Sequence, residues 1–333
     1  MADALLSALI EITIRIYQSK MKQATKAKPF LKWAGGKNQL LSQFQSFYPR
    51  ELLSGKIDSY IEPFIGGGAV FFDIMQNFNI KSAYISDVNK DLILAYKVIQ
   101  QNTIELRKHL SHYQTQYDTT PESDRNNLFL SIRKNFNDQR FEINYEKISN
   151  NWIQRVAQLI FLNKTCFNGL FRVNSKGEFN VPFGKYCNPT ILENDNLEAV
   201  ARILQKVEIR NAEYQQCYSY ITDTSFVYFD PPYRPLTKTA NFTTYSGIGF
   251  NDDDQRKLAG FFNQVAREKR AKLMLSNSDP KNANPDDMFF DNLYASFNFY
   301  SVNAARAINS NGEKRGKIKE LVVTNYCLAG EIV

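Results

Sequence analysis

The chain has 333 residues, 43% of them hydrophobic, with 41 Lys and Arg against 34 Asp and Glu, a net charge of +7. That composition belongs to a soluble globular protein of one large domain or two, excludes fibrous and disordered classes, and leans towards a polyanionic partner without identifying one. Cys166, Cys187, Cys217 and Cys327 form no close pair, so neither a zinc knuckle nor a disulfide framework is suggested, and a reducing cytoplasm is the simple inference.

Met1 to Lys20 is apolar but interrupted by Asp3, Glu11 and Arg15. It is too short to span a bilayer and lacks the basic start and small-residue cleavage site of a signal peptide. Ile10, Ile12, Ile14 and Ile16 alternate as an edge strand would, yet Met21 followed by basic residues looks like a natural start. Residues 1–20 read as an extension without assigned function.

From Pro29 the sequence sharpens into Phe30-Leu-Lys-Trp-Ala-Gly-Gly-Lys37, with Leu40 and Leu41 expected to open a helix. A phosphate loop needs a glycine where Leu31 stands and Ser or Thr where Asn38 stands, so that reading fails twice. A glycine turn into a helix N-terminus with Lys37 beside it would seat an anion. A plain turn with Trp33 in the core fits equally well.

Ser59-Tyr-Ile-Glu-Pro-Phe-Ile-Gly-Gly-Gly-Ala-Val-Phe-Phe72 predicts a strand at Tyr60–Ile61, a tight turn at Gly66 to Gly68 and a helix from Ala69. A second strand, Ala83 to Ser86, ends in Asp87, where an acid of a dinucleotide-type fold meets a ribose. The pair favours nucleoside binding over a structural turn. His109 and His112 sit three apart on a probable helix with no further ligand beside them, so a solvated face is favoured and metal catalysis and a Ser-His-Asp triad are not.

Between Lys90 and about Thr190, helical spacing links Leu106, Leu110, Tyr113 and Tyr117, then Leu128, Ile132 and Phe136, then Ile153, Val156 and Ile160. This helical insertion ends in Cys166-Phe-Asn-Gly-Leu-Phe-Arg-Val-Asn-Ser-Lys-Gly-Glu-Phe-Asn-Val-Pro-Phe-Gly184, two β-like runs flanking Asn174 to Gly177. Asn168, Arg172, Asn174, Asn180 and Lys185 are residue types that read base edges and phosphates, although an ordinary polar hairpin would carry them too.

Further strands are expected at Val207–Arg210, Phe226–Phe229, Lys272–Ser276, Phe297–Val302 and Ile318–Tyr326, with a helix starting at Asp252, Asp253 and Asp254. The loop before the last strand is basic, with Lys314, Arg315 and Lys317. Phe226 to Phe229 runs straight into Asp230-Pro-Pro-Tyr233. Each proline pushes the residue before it extended and offers no N–H, which makes a stiff elbow presenting a carboxylate, a bare carbonyl and an aromatic face. Asp230 and the Pro231 carbonyl could take both N–H bonds of a ring-conjugated amino group and free its lone pair, while Tyr233 stacks on the ring. A surface turn is the plainer alternative.

Taken together, Lys32-Trp-Ala-Gly-Gly-Lys37, Glu62-Pro-Phe-Ile-Gly-Gly-Gly68 and Asp230-Pro-Pro-Tyr233 mark a chain that resembles the Dam-type DNA adenine-N6 methyltransferases from about Pro29 to Tyr326. The resemblance implies an α/β fold: a mixed seven-stranded Rossmann-like methyltransferase sheet with helices on both faces, formed by 21–92 and 193–333. It adds a helical target-recognition insertion, 93–192, bearing a β-hairpin. It implies S-adenosylmethionine as methyl donor, no metal, and methylation of a flipped adenine in double-stranded DNA within GATC. Trp33, Gly36, Lys37, Glu62, Gly66, Gly68, Asp87 and Asp230 would form the cofactor site, with Lys37 facing the methionine carboxylate and Asp87 the ribose hydroxyls. Asp230, Pro231, Pro232 and Tyr233 would hold the adenine.

Lys32, Leu170, Arg172 and Pro182 would read GATC, Phe167 would fill the gap in the stack, Asn168 would bind the DNA beside it, and Tyr186 would meet the backbone. Some relatives have tyrosine where Phe167 keeps only the ring. The resemblance also implies a monomer or weak dimer in the bacterial cytosol or nucleoid, with no membrane role, and a restriction endonuclease sharing the site as the candidate protein partner. The rival readings are a vestigial DNA-binding regulator, a methyltransferase for protein glutamine or RNA, and a dinucleotide oxidoreductase. The last leaves Asp230 to Tyr233 unexplained.

Overall fold

The computed structural model describes residues 25–146, 149–234, 250–305 and 317–328, so Met1 to Lys20, Lys314 and Arg315 lie outside the described residues. Its frame is a sheet of β1 (Ser59–Glu62), β2 (Ser82–Asp87), β3 (Val207–Asn211), β4 (Ser225–Phe229), β5 (Lys272–Ser278), β6 (Asn298–Ala305) and β7 (Lys317–Thr324). The strands run in the order β3-β2-β1-β4-β5-β7-β6. β1 to β5 are parallel, while β7 inserts antiparallel between β5 and β6. The expected seven-stranded sheet is therefore the observed one.

Covering both faces explains the continuous apolar runs of the central strands. Phe226 and Tyr228 of β4 enter one hydrophobic cluster, Val227 and Phe229 the other. On the first face lie α1 (Ala69–Asn77), α2 (Lys90–Thr119), α3 (Arg125–Asp138), α4 (Asn150–Thr165) and α5 (Asn194–Leu204). On the second lie a 3-10 segment, Tyr214–Tyr220, and α6 (Asp252–Glu268). A capping box between Asn251 and Asp254 starts α6 where the run of acids predicts it.

The helix α2 starts at the sheet, capped by the Asn89 side chain on Leu92 N (3.0 Å), bends at Asn102 and continues into the helical unit. Its Asp91 holds Arg155 of α4 bidentately, at 2.6 and 2.8 Å, and Arg155 donates on to Phe136 O of α3. Sheet and insertion therefore share one core. No described helix is long and apolar enough to cross a membrane.

One expected element is corrected. Instead of a helix opening at Leu40, there is a 3-10 turn at Lys37–Gln39, one α-turn at Leu41–Phe44 and another 3-10 turn at Gln45–Phe47. None has a side-chain cap, and Pro49 follows at once, so there is no helix dipole to seat an anion.

The glycines Gly68 and Gly177 separate backbone strain from crowding. Both have φ near +74°, at 74 and 73. A Cβ on Gly68 would lie 2.6 Å from the Tyr96 hydroxyl, whereas one on Gly177 meets open space. Gly177→Ala should cost about 1–2 kcal/mol of left-handed strain, and Gly68→Ala about 1–3 kcal/mol more from overpacking. Urea unfolding of the two variants reads the difference directly.

Candidate active site

Phe229 lies opposite Leu275, so Asp230 leaves β4 beside Ser276 of β5. Ser276 Oγ donates to Asp230 Oδ1 at 2.8 Å, and Lys37 Nζ pairs with Oδ2 at 2.8 Å. Tyr228 and Ser276 share a 2.7 Å hydroxyl bond beneath them. Lys37 is buried, donates also to Gly35 O (2.7 Å) and stands 4.6 Å from the centre of the Tyr233 ring.

The prolines are held from below. Gln255 Nε2 donates to Pro232 O at 3.0 Å, and Arg234 N to Asn277 Oδ1 at 3.2 Å. Arg234 then forks onto Asp252 (2.7 and 3.0 Å) and Asp287 (2.7 Å), tying the elbow to the start of α6. Among the described residues no donor meets the Pro231 carbonyl. A stiff elbow thus sets a carbonyl that no described donor meets next to a carboxylate with lone pairs to spare. Tyr233 completes it, its hydroxyl donating to Glu320 Oε2 of β7 at 2.5 Å.

Asp230, Glu62 and Glu320 gather near the single ammonium of Lys37. Burial pushes the Glu62 carboxyl well above the usual range, against a 2.6 Å bond donated by Tyr60 OH. Burial also raises Glu320, with the Lys37 charge and the Tyr233 bond opposing it.

At the neighbouring strand ends, Gly66 (φ 45) and Gly68 (φ 74) make the turn from β1 to α1. Asp87 Oδ2 accepts from Gly66 N at 3.2 Å and its Oδ1 from Asn89 N at 2.9 Å. Burial of this carboxyl pushes its pKa up to about 6. Trp33 lies against Gly66 and Gly67 and stacks on Phe171 at 5.2 Å and 20°. Gly36 enters only through its N–H, closing the turn onto Trp33 O at 3.2 Å.

The hairpin approaches from the other side of Trp33. It forms as two isolated bridges, Cys166↔Phe183 and Val173↔Phe179, instead of two strands. The Asn137 side chain takes both the N–H (2.8 Å) and the carbonyl (3.1 Å) of Phe179, where a further strand would have paired. Arg172 Nε donates to Asn180 Oδ1 at 2.8 Å across the arm. Phe167 is 52% exposed, and Pro182 and Lys185 are exposed beside it. Asn168 (φ 57) donates its N–H to Tyr186 OH at 3.1 Å. The Lys32 stem packs over Gly169, its Nζ lies 5.6 Å from the Tyr186 ring centre, and Leu170 is half-buried next to it.

Sequence reasoning missed Ser276, Glu320, Gln255 and Asn163. Asn163 is buried and accepts from Lys32 N (2.9 Å) while donating to Lys32 O and Gly169 O (2.9 Å each), so it staples the glycine-lysine segment to the hairpin. The available signal was a polar residue inside an apolar run: Asn163 after Phe161 and Leu162, Ser276 after Leu273 to Leu275. His109 and His112 are exposed on α2, and no described group of His, Cys, Asp and Glu could hold a metal.

The strand order, the glycine turn after β1 and the proline elbow at the switch between β1 and β4 are those of an open α/β fold whose ligand crevice lies at the strand ends where the order reverses. Residues 33–308 match the family described as D12 class N6 adenine-specific DNA methyltransferases. The chain is 47% identical over 300 residues to the Type II methyltransferase M.MjaIII of Methanocaldococcus jannaschii, across 90% of this chain and 99% of that protein. It is 35% identical to the DNA adenine methylase of Vibrio cholerae and 32% to that of Escherichia coli, each across 89% of this chain and 95% of the relative. The chain belongs to the D12 class: it is an adenine-specific DNA methyltransferase. The oxidoreductase and glutamine or RNA readings fall away.

Proposed function

We propose that the enzyme methylates N6 of an adenine swung out of GATC duplex, with S-adenosylmethionine as donor. The observation that supports the reading is the Asp230 carboxylate, held by Ser276 and Lys37 with the Tyr233 ring over the same lysine, followed directly by Pro231, whose carbonyl meets no donor among the described residues. Two acceptors so placed take both N–H bonds of the adenine amino group and turn its lone pair outward. Tyr233 supports the ring, and the elbow contributes by fixed position and charge. The donor, when bound, supplies a methyl group on a cationic sulfur.

The residues present fit that donor. The glycine turn after β1 is fixed by Gly68 packing on Tyr96 and by Gly66 N–H on Asp87, and the Asp87 carboxylate, with lone pairs beyond those backbone bonds, suits two ribose hydroxyls. Lys37 would give its free donor capacity to the methionine carboxylate while keeping Asp230 in place, and Trp33, Glu62, Gly36 and Gly66 would line the pocket. Residues 93–192 would read DNA, and 21–92 with 193–333 would carry catalysis. Arg172, whose Nε and Nη2 donate to Asn180, would turn its remaining N–H groups to a guanine, Lys32, Leu170 and Pro182 would complete the base contacts, exposed Phe167 would fill the gap left by the flipped base, and Asn168 would bind the DNA beside it. Tyr186 and Lys185 would meet the backbone. The proposed enzyme is a cytosolic monomer or weak dimer that shares its site with a restriction endonuclease without a stable complex.

Two measurements test the assignments. An ionised Asp87 accepts strongly at both oxygens, whereas a protonated one keeps a single neutral carbonyl acceptor, and its carboxyl is raised to about 6. Calorimetric affinity for S-adenosylhomocysteine should therefore hold above that pH and fall about tenfold per unit below it. Asp87→Asn should bind weakly with a flat pH profile; an unchanged slope would remove Asp87 from the site.

The second separates the two jobs of the hairpin. Arg172→Ala should lose about 1–3 kcal/mol of discrimination at one outer base pair. Lys185→Ala should weaken all sequences alike and flatten the salt slope by roughly one unit. Methylation rates on every single-base variant of GATC, plus binding across a salt series, distinguish them. Equal loss on all sites by Arg172→Ala, with specificity kept, would take Arg172 out of base readout.

A further inference from the structure

The Pro231-Pro232 pair stiffens the backbone of the elbow but leaves the side-chain torsions of Tyr233 free. A stacking face is useful only at a fixed tilt, so something outside the motif must hold the ring. The phenol hydroxyl meets Glu320 Oε2 at 2.5 Å. Glu320 lies in the middle of β7, opposite Ser278 of β5 and Val302 of β6, so its backbone is held by strands on both sides. We propose that Glu320 is a positioning residue for methyl transfer, setting the tilt of the Tyr233 ring through its phenol-to-carboxylate hydrogen bond.

Three observations agree. An O–H donated to a carboxylate is among the stronger hydrogen bonds, and the 2.5 Å separation fits that class. Donation to an anion also enriches the ring with electrons, and the Lys37 ammonium sits 4.6 Å from its centre, where such enrichment is stabilising. The Lys37 charge opposes the rise that burial imposes on the Glu320 carboxyl, so the lysine between Asp230 and Tyr233 favours the ionised acceptor Tyr233 needs. The side-chain partner of Glu320 is the Tyr233 phenol. Glu320 acts through Tyr233.

The inference rests on the reading of Tyr233 as the face that supports the adenine. The test combines Glu320→Ala, Glu320→Gln, Tyr233→Phe, the double variant Tyr233→Phe/Glu320→Ala, and Tyr233→Ala as the control for that reading. Each is measured for melting temperature, kcat, KM for duplex DNA, affinity for S-adenosylhomocysteine, and emission from 2-aminopurine placed at the target adenine. Glu320→Ala should lower kcat about tenfold to a hundredfold, the scale of one charge-assisted hydrogen bond, with KM and cofactor affinity within about threefold. The 2-aminopurine should emit more brightly than with the unaltered enzyme, because a loosened ring quenches it less. Tyr233→Phe should lose as much, the double variant no more than the worse single one, and Glu320→Gln should retain most activity because its amide oxygen still accepts the phenol.

Losses that multiply in the double variant, or a Glu320→Ala enzyme with unchanged kcat and emission, would overturn the role of Glu320. A change confined to melting temperature would do the same. If Tyr233→Ala itself kept normal turnover, the stacking reading would fail instead.

Discussion

Everything in the site depends on one ion pair, Lys37 to Asp230, at the point where a fully buried strand stops. Placing a carboxylate at the end of β4 removes it from much of its water, a cost that is offset only by well-aimed partners. Lys37 supplies the charge, Ser276 the second bond, and Tyr228 the bond that orients Ser276. With those partners, Asp230 keeps lone pairs for a ligand. Removing Lys37 would take from Asp230, Glu62 and Glu320 the cation that offsets their mutual repulsion among the described residues.

The same pair joins the two ends of the enzyme. Lys37 closes the segment that begins at Lys32 and Trp33, and both of those belong as much to the hairpin as to the sheet. Trp33 packs between the glycine turn and Phe171, next to Arg172, and Asn163 bonds Lys32 and Gly169 at once. The hairpin and the Asp230 elbow are therefore joined through the short segment from Lys32 to Lys37.

The sheet was legible because burial on both faces writes itself as short apolar runs, and the elbow because prolines are punctuation. Tyr60–Ile61, Ala83 to Ser86 and Phe226–Phe229 fall on observed strands. The helix expected after Lys37 was not legible: Leu40 and Leu41 carry the pattern, but tertiary anchoring of Lys37 and the nearby Pro49 leave only turns. The β-like runs of the hairpin are legible, but their arms meet through isolated bridges, and the N–H and carbonyl of Phe179 go to an Asn137 side chain from a distant helix. Ser276, Gln255, Glu320 and Asn163 were missed for a common reason. Each gains its role from a partner 23 to 131 residues away, and no local spacing records such a contact.

The central claim is that the Asp230 carboxylate accepts the amino group of the target adenine. Single-turnover methyl transfer to adenine-containing duplex by Asp230→Ala tests it most directly, with melting temperature and cofactor affinity measured alongside. The account predicts a loss of about a hundredfold to a thousandfold or more in the transfer rate, the scale of removing one preorganised electrostatic partner, with the fold retained and cofactor binding weakened. Near-normal transfer by Asp230→Ala would contradict it.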